Sequence, residues 1–273
     1  MAVDLKTAIQ YALCVKAAED IAPGDLTNRA GQVMSIGNTS YNVVASIYGN
    51  DLATDSDKNR ALLIVSFGLV LQAPGGDVVI AIRGTDGIWE WVHDAEFKHV
   101  VCPVLAGSGN TDDGFTAMYL SLRMGTDLNS TRVIKALPGL AFPRTVTSLT
   151  ICGHSLGGAL VTLLGLDVAA NTAFKTPAVY SYASPRTGDQ QFVDTYNQVV
   201  PNSVRFVNRL DVVPGLPPVA FGYAHVNTLF DLNPGLEVKL DALCRHHLTT
   251  YLYVMGKLAG VPGLPLNPEC KFL

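Results

Sequence analysis

The clearest pattern in the chain is an alternation in its second half. Apolar runs at residues 146–152, 178–183 and 204–207 have the length and side-chain types of buried strands. Between them, residues 156–170 and 190–199 carry helix-forming sequence. Strand–helix–strand repetition of this kind predicts βαβ units and a parallel sheet. The first half reads differently. Leu5, Ala8, Ile9, Ala12, Leu13 and Val15 recur near helical spacing and predict an amphipathic helix over 5–19. Residues 42–48 and 62–72 are rich in β-branched and aromatic side chains. A return strand at 78–82 follows the turn sequence Pro74-Gly75-Gly76-Asp77, so 62–82 is predicted as a hairpin. Residues 114–124 and 240–257 read as helices, 214–218 as a proline loop, and the tail from Gly260 as irregular. No repeat or charged linker divides the chain, and one domain over residues 1–273 is expected.

Composition narrows the classes of function. The chain has 273 residues, enough to bury a large core without metal or disulfide staples. Charged residues are only 15% against 48% apolar, the balance of a compact α/β protein or of one that meets lipid. The net charge of −4, without any Lys/Arg stripe, argues against nucleic acid. Cys14, Cys102, Cys152, Cys244 and Cys270 are scattered and lack the spacing of a zinc site, and their odd number leaves at least one thiol unpaired within the chain. No carboxylate loop has calcium-ligand spacing, so no metal and no cofactor is expected. Asp4 and Lys6 interrupt the N-terminus, and neither a signal peptide nor a membrane span is read. The chain is expected in the cytoplasm if Met1 is the native start, and secreted if a leader has been removed.

The candidate chemistry centres on Gly153-His154-Ser155-Leu156-Gly157. A G-x-S-x-G pattern alone is weak. Here an apolar strand runs into it and an Ala/Leu-rich helix runs out, the strand–turn–helix context of a nucleophile elbow. Glycines two before and two after the serine keep the neighbouring strand and helix clear of side chains. The competing reading is a serine that caps the helix after it. A nucleophilic Ser155 needs an imidazole base and an orienting acid, and on such sheets the chain order is Ser, acid, His. His225, His246 and His247 follow Ser155, with Asp167, Asp189, Asp194, Asp211 and Asp231 among the acids. Asp211 stands out because it comes just after strand 204–207, at the carboxyl end of a parallel strand, where α/β sites are built. Chain position does not separate the histidines. The amide of Leu156, the residue after the nucleophile, is the first expected oxyanion donor.

Four segments in order carry a resemblance: Ile82-Arg83-Gly84-Thr85, Gly153-His154-Ser155-Leu156-Gly157-Gly158, Ser184-Pro185-Arg186-Thr187-Gly188, and Asn208-Arg209-Leu210-Asp211-Val212-Val213-Pro214. Together they resemble the class 3 lipases, the fungal-type lipase family, over about residues 60–252. The resemblance implies an α/β-hydrolase fold, a mostly parallel central sheet flanked by helices with a short lid over the active site. It places the nucleophile at Ser155 and the acid at Asp211. His246-His247-Leu248-Thr249-Thr250-Tyr251-Leu252 is similar to the family's C-terminal histidine segment with His246 as the base; relatives with His-Leu directly point to His247 instead. His225 falls on a position that is structural in the family. Thr85 matches the second oxyanion donor. Trp89 and Trp91, the only tryptophans, fall on the lid, with Asp94 completing its W-x-x-D. His93-Asp94 is not a second catalytic pair, because adjacent helical side chains point apart. One departure is visible: Asp112-Asp113-Gly114-Phe115 stands where the family has V-H-x-G-F, a structural position.

The implied activity is hydrolysis of triacylglycerols or other fatty esters through a Ser-His-Asp triad and an acyl-enzyme. A short-chain or feruloyl-type esterase, an acyl transferase and a non-catalytic binding protein on the same scaffold are the alternatives. The expected partners are a small-molecule or lipid ester and a lipid–water interface, with no protein partner evident.

Overall fold

The computed structural model describes residues 3–50, 64–85, 97–126, 129–226 and 228–272. Its centre is an eight-stranded sheet. In chain order the strands are β1 (Val33–Ile36), β2 (Thr39–Asn50), β3 (Ile64–Gln72), β4 (Asp77–Ile82), β5 (His99–Val101), β6 (Asn110–Asp112), β7 (Ser148–His154), β8 (Ala178–Tyr182), β9 (Gly188–Asp189), β10 (Ser203–Asn208), β11 (Tyr223–Ala224) and β12 (Leu229–Leu232). The large sheet runs β1-β2-β3-β4-β7-β8-β10-β12. Pairs up to β3–β4 are antiparallel, and those from β4–β7 to β10–β12 are parallel. A small antiparallel sheet, β11-β9-β6-β5, lies apart from it. This is the α/β-hydrolase architecture, with its parallel half built by the βαβ units of the alternating region.

Helices cover both faces. They are α1 (Leu5–Glu19), α2 (Asp113–Ser121), α3 (Val133–Ala136), α4 (Leu156–Asn171), α5 (Gln190–Val199), α6 (Ala242–His246) and α7 (Leu248–Ala259). The period of two in β4 decides which side chain meets which layer. Val78, Ile80 and Ile82 join the core shared with α2, α4 and α5, while Val79 and Ala81 join the core under α1 and α7. α1 starts where the Asp4 side chain accepts the Lys6 amide at 3.1 Å, and it buries the small face Ala8, Ala12 and Ala18. α4 is apolar on all sides and buried along nearly its whole length, as befits a helix enclosed in the core.

Three expectations are corrected. The single helix over 240–257 is two: His247 has φ −52° and ψ 134°, so the chain breaks between α6 and α7. The irregular tail contains a short 3-10 turn at Pro268–Cys270, held by a Cys244–Cys270 disulfide. The helix read at 114–124 ends at Ser121, and Leu122 is already extended. Cys14, Cys102 and Cys152 are buried thiols. Among the described residues no helix is long and apolar enough to cross a membrane.

Candidate active site

β7 delivers Ser155 into a turn with φ 56° and ψ −127°, a backbone conformation that costs a non-glycine residue roughly 1–3 kcal/mol. The surrounding glycines show what holds it there. A Cβ on Gly157 would stand 2.4 Å from the carbonyl oxygen of Arg83, and one on Gly153 would stand 2.4 Å from that of Gly157. Strand, turn and helix therefore touch backbone to backbone, and any side chain would push the elbow open. Ser155 donates its amide to the Tyr182 carbonyl at 2.9 Å, and Gly158 returns a bond to the Ser155 carbonyl at 2.8 Å. Leu156 is the first residue of α4, so its amide has no acceptor within the helix.

The base and acid come from the C-terminal segment. Nε2 of His246 lies 2.7 Å from Oγ of Ser155. Its Nδ1 lies 2.9 Å from Oδ2 and 3.1 Å from Oδ1 of Asp211. A proton on Nδ1 donates to the carboxylate and leaves Nε2 free to accept from the serine. Burial holds the His246 imidazole below its ordinary value against the opposing pull of Asp211, so the free-base form is favoured. The three residues are 1%, 5% and 7% exposed for Ser155, His246 and Asp211, which strengthens each of these polar contacts. His247 is exposed and occupies the joint between α6 and α7, with its amide donating to Leu243.

Several supporting residues escaped the reading of the sequence. Tyr251 donates its hydroxyl to Asp211 Oδ2 at 2.7 Å and accepts the Asn208 amide at 3.1 Å. The Val213 amide donates to Asp211 Oδ1 at 3.0 Å. His154, next to the nucleophile, lies between two acceptors: Glu19 Oε1 at 2.8 Å from Nδ1 and the His246 carbonyl at 2.8 Å from Nε2. Both ring nitrogens must donate, so the ring carries a positive charge opposite an ionised Glu19. Burial opposes that charge, yet the Glu19 carboxylate outweighs it and raises His154 above its usual range. Glu19 is correspondingly held low, His154 overcoming the burial that would raise it. Arg245 is buried and donates to the carbonyls of Lys239, Gly235 and Val238, pinning the loop before α6. The doubled histidine and the tyrosine were visible as residues; the α1 carboxylate was not, because it arrives from 135 residues away.

The remaining candidates fall as follows. Gly84 packs against the nucleophile, since a Cβ there would stand 3.1 Å from that of Ser155; this sets the Arg83-Gly84-Thr85 turn at the site, with Thr85 buried. Trp89, Trp91, His93 and Asp94 lie outside the described residues. Nε2 of His225 lies 2.7 Å from the Pro214 carbonyl, to which it donates, and burial lowers the ring to about 3, so it stays neutral. Asp167, Asp189 and Asp194 are used elsewhere: Asp167 by Tyr119 and Asn171, Asp189 as the cap of α5 and a partner of Asn110, Asp194 by Gln190. Asp231 pairs with Arg209 at 2.5 Å. Asp112, the residue in place of the family's histidine, caps α2 through the Phe115 amide and contacts the Tyr223 hydroxyl at 3.0 Å. Among the described residues no group of three or more His, Cys, Asp or Glu side chains could hold a metal ion.

Comparison with known proteins identifies the family. Residues 79–221, just over half of the chain, match the family model described as Lipase (class 3). A phospholipase A1-II 1 from Oryza sativa subsp. indica is 28% identical over 204 residues, covering 68% of this chain and 52% of that protein. A secreted mono- and diacylglycerol lipase A from Penicillium cyclopium is 33% identical over 150 residues, covering 55% and 46%. The chain thus spans about half the length of the curated relatives it matches. A fungal lipase crystal structure superposes with a TM-score of 0.64 at 24% identity, covering 88% of this chain and 85% of that one, a likeness of fold.

Proposed function

The chain belongs to the class 3 lipase family, and from that premise we propose that it is a serine ester hydrolase acting on fatty acyl esters through Ser155, His246 and Asp211. The observation that carries this reading is the continuous relay from Ser155 Oγ to His246 Nε2 at 2.7 Å and from His246 Nδ1 to Asp211 Oδ2 at 2.9 Å. Residues 1–273 are read as one lipase-like domain.

In this mechanism His246 takes the Ser155 proton as Oγ attacks the ester carbonyl. Asp211 keeps the imidazole in the needed tautomer and stabilises the imidazolium that forms. The oxyanion is met by the amides of Leu156 and Thr85, reinforced by the positive end of α4. His246 then returns the proton to the leaving alcohol, and a water repeats the cycle to release the acid. His154 holds the backbone of His246 from below, and Tyr251 holds Asp211. Trp89 and Trp91 are assigned to a lid that opens at a lipid–water interface.

A fatty ester is preferred as substrate because the relatives above are named as lipases of mono- and diacylglycerols and as phospholipase A1. Turnover of p-nitrophenyl butyrate and emulsified p-nitrophenyl palmitate tests this. Cleavage of both, with the palmitate ester favoured in emulsion, is the expected result. Cleavage of butyrate alone makes the chain a short-chain or feruloyl-type esterase. Cleavage of neither removes the hydrolase reading in favour of acyl transfer or binding.

A further inference from the structure

A cavity of about 510 Å³ opens where the far end of α4 meets α2 and the segment around α3. Asp167 in its wall lies 12 residues beyond Ser155 on the same helix, roughly 18 Å along the axis from the nucleophile. The cavity is therefore separate from the active site, and its size falls in the range of small-molecule sites.

Its polar groups are unevenly satisfied. Asp167 accepts the Tyr119 hydroxyl on Oδ2 and an Asn171 side-chain N–H at 2.7 Å on Oδ1. The side-chain amide of Asn171 also donates to the Val104 carbonyl at 3.0 Å, which occupies both of its protons. Arg132 is the exception. Its guanidinium carbon sits 5.7 Å from the centre of the Tyr119 ring, held over the aromatic face. Its Nε is buried and has no hydrogen-bond partner among the described residues. No ion pair among the described residues joins it to Asp167. Lys135 adds a second cation at the exposed rim, so two positive charges face one carboxylate that is already engaged. Val104, Leu120 and Ile134 add a hydrocarbon strip to a wall whose exposed surface is otherwise largely polar.

We propose that this cavity binds a small carboxylate carrying an apolar chain. The acid head would accept from the two terminal nitrogens of Arg132, the paired donors a guanidinium offers end-on to a planar carboxylate. The chain would lie against Val104, Leu120 and Ile134. Lys135 would attract the anion to the mouth and contribute less, because it stays in water. The ligand thus belongs to the class of carboxylic acids that ester hydrolysis releases, but the site stands on its own residues and does not depend on the chain being a hydrolase.

Calorimetric titration of octanoate into wild type, Arg132→Met and Lys135→Ala tests the site, with octan-1-ol and inorganic phosphate as contrasting probes. The expected result is an octanoate event that weakens by about thirtyfold in Arg132→Met and by about threefold in Lys135→Ala. Octanol and phosphate should give no event that depends on Arg132. Equal octanoate affinity in wild type and Arg132→Met overturns the proposal, because any remaining binding is then at Ser155 or elsewhere. An octanol event as sensitive to Arg132 as octanoate would make the cavity a site for neutral chains, and a phosphate event without an octanoate event would make it a phosphate site; either also overturns it. Should Arg132→Met fail to fold by circular dichroism, Arg132→Lys decides. That variant keeps the charge and loses the paired donors, so about tenfold weaker octanoate binding supports the site and unchanged binding contradicts it.

Discussion

The nucleophile and its base are held by opposite means. Ser155 stands on backbone: a parallel strand, a strained turn and a helix packed so closely that Gly153 and Gly157 leave no room for a methyl group. His246 and Asp211 stand on side chains and cross-links. Asp211 sits after the end of β10 and is gripped by Tyr251 and the Val213 amide. His246 ends a five-residue helix that could not persist alone. It is kept in place by His154 beneath its carbonyl, by Arg245 and by the Cys244–Cys270 disulfide two residues before it. The comparison teaches that damage to the elbow should be structural and all-or-none. Damage around the base should be graded and chemical.

The largest contrast comes from Gly157→Val. Its side chain would meet the carbonyls of Ile82 and Arg83 at about 2.5 Å, all of it backbone. Loss of the folded protein, or a fall of at least about 3 kcal/mol in urea unfolding, is expected. A folded variant of normal stability would break the claim that the elbow rests on backbone contact. Next is Asp211→Asn, which should keep the fold and lower kcat by about 10⁴, because an amide favours the wrong imidazole tautomer. Steady-state kinetics with circular dichroism checks both halves of that statement. A kcat within tenfold of wild type would remove Asp211 from the relay.

Cys270→Ser frees the tail from α6. Opening a loop with a separation of 26 residues should cost about 3 kcal/mol in unfolding. It should also lower kcat by about tenfold with little change in KM, since it is the base that moves. A change in stability without any change in kcat would show that the disulfide does not position His246. The smallest effect concerns Glu19→Gln, which leaves His154 without its counter-charge. His154 titrates above 6.5 in the folded chain, so its contribution is complete below pH 6.5 and fades as pH rises through that higher value. Glu19 titrates below 4.5, so its contribution is complete above pH 4.5 and fades as pH falls through that lower value. The stability gap between wild type and Glu19→Gln should be about 2 kcal/mol and widest between pH 4.5 and 6.5. A gap that is flat with pH would mean the pair is not ionised.

The same division explains what the sequence made legible. The elbow was readable because its determinants are local: an apolar strand, two glycines at fixed offsets and a helix, all within a few residues of Ser155. The parallel half of the sheet followed from alternation alone. α1 and α5 were read at their observed limits, since their ends are marked by Asp4 and Asp189. The base was less legible because His246 and His247 are neighbours, and the choice between them depends on a helix break that no breaker residue announces. Leu243, Cys244, Arg245 and Leu248 all suit one continuous helix. The turn at His247 is imposed by tertiary partners, with Arg245 pinned to the preceding loop and Asn208 donating to the Arg245 carbonyl at 2.8 Å. β12 was missed for a related reason: Leu229–Leu232 is short and contains Asp231, and it is a strand only because β10 supplies a parallel edge. The Glu19–His154 pair joins the first helix to the elbow, a contact that pattern along the chain does not encode.

The most direct test of the account is labelling with a fluorophosphonate, followed by peptide mass spectrometry, on wild type, His246→Ala and His247→Ala. The account predicts one adduct, on Ser155, with a labelling rate that falls by at least about 10³ in His246→Ala and stays within about threefold in His247→Ala. An adduct on another residue, or equal rates in the two histidine variants, would contradict it.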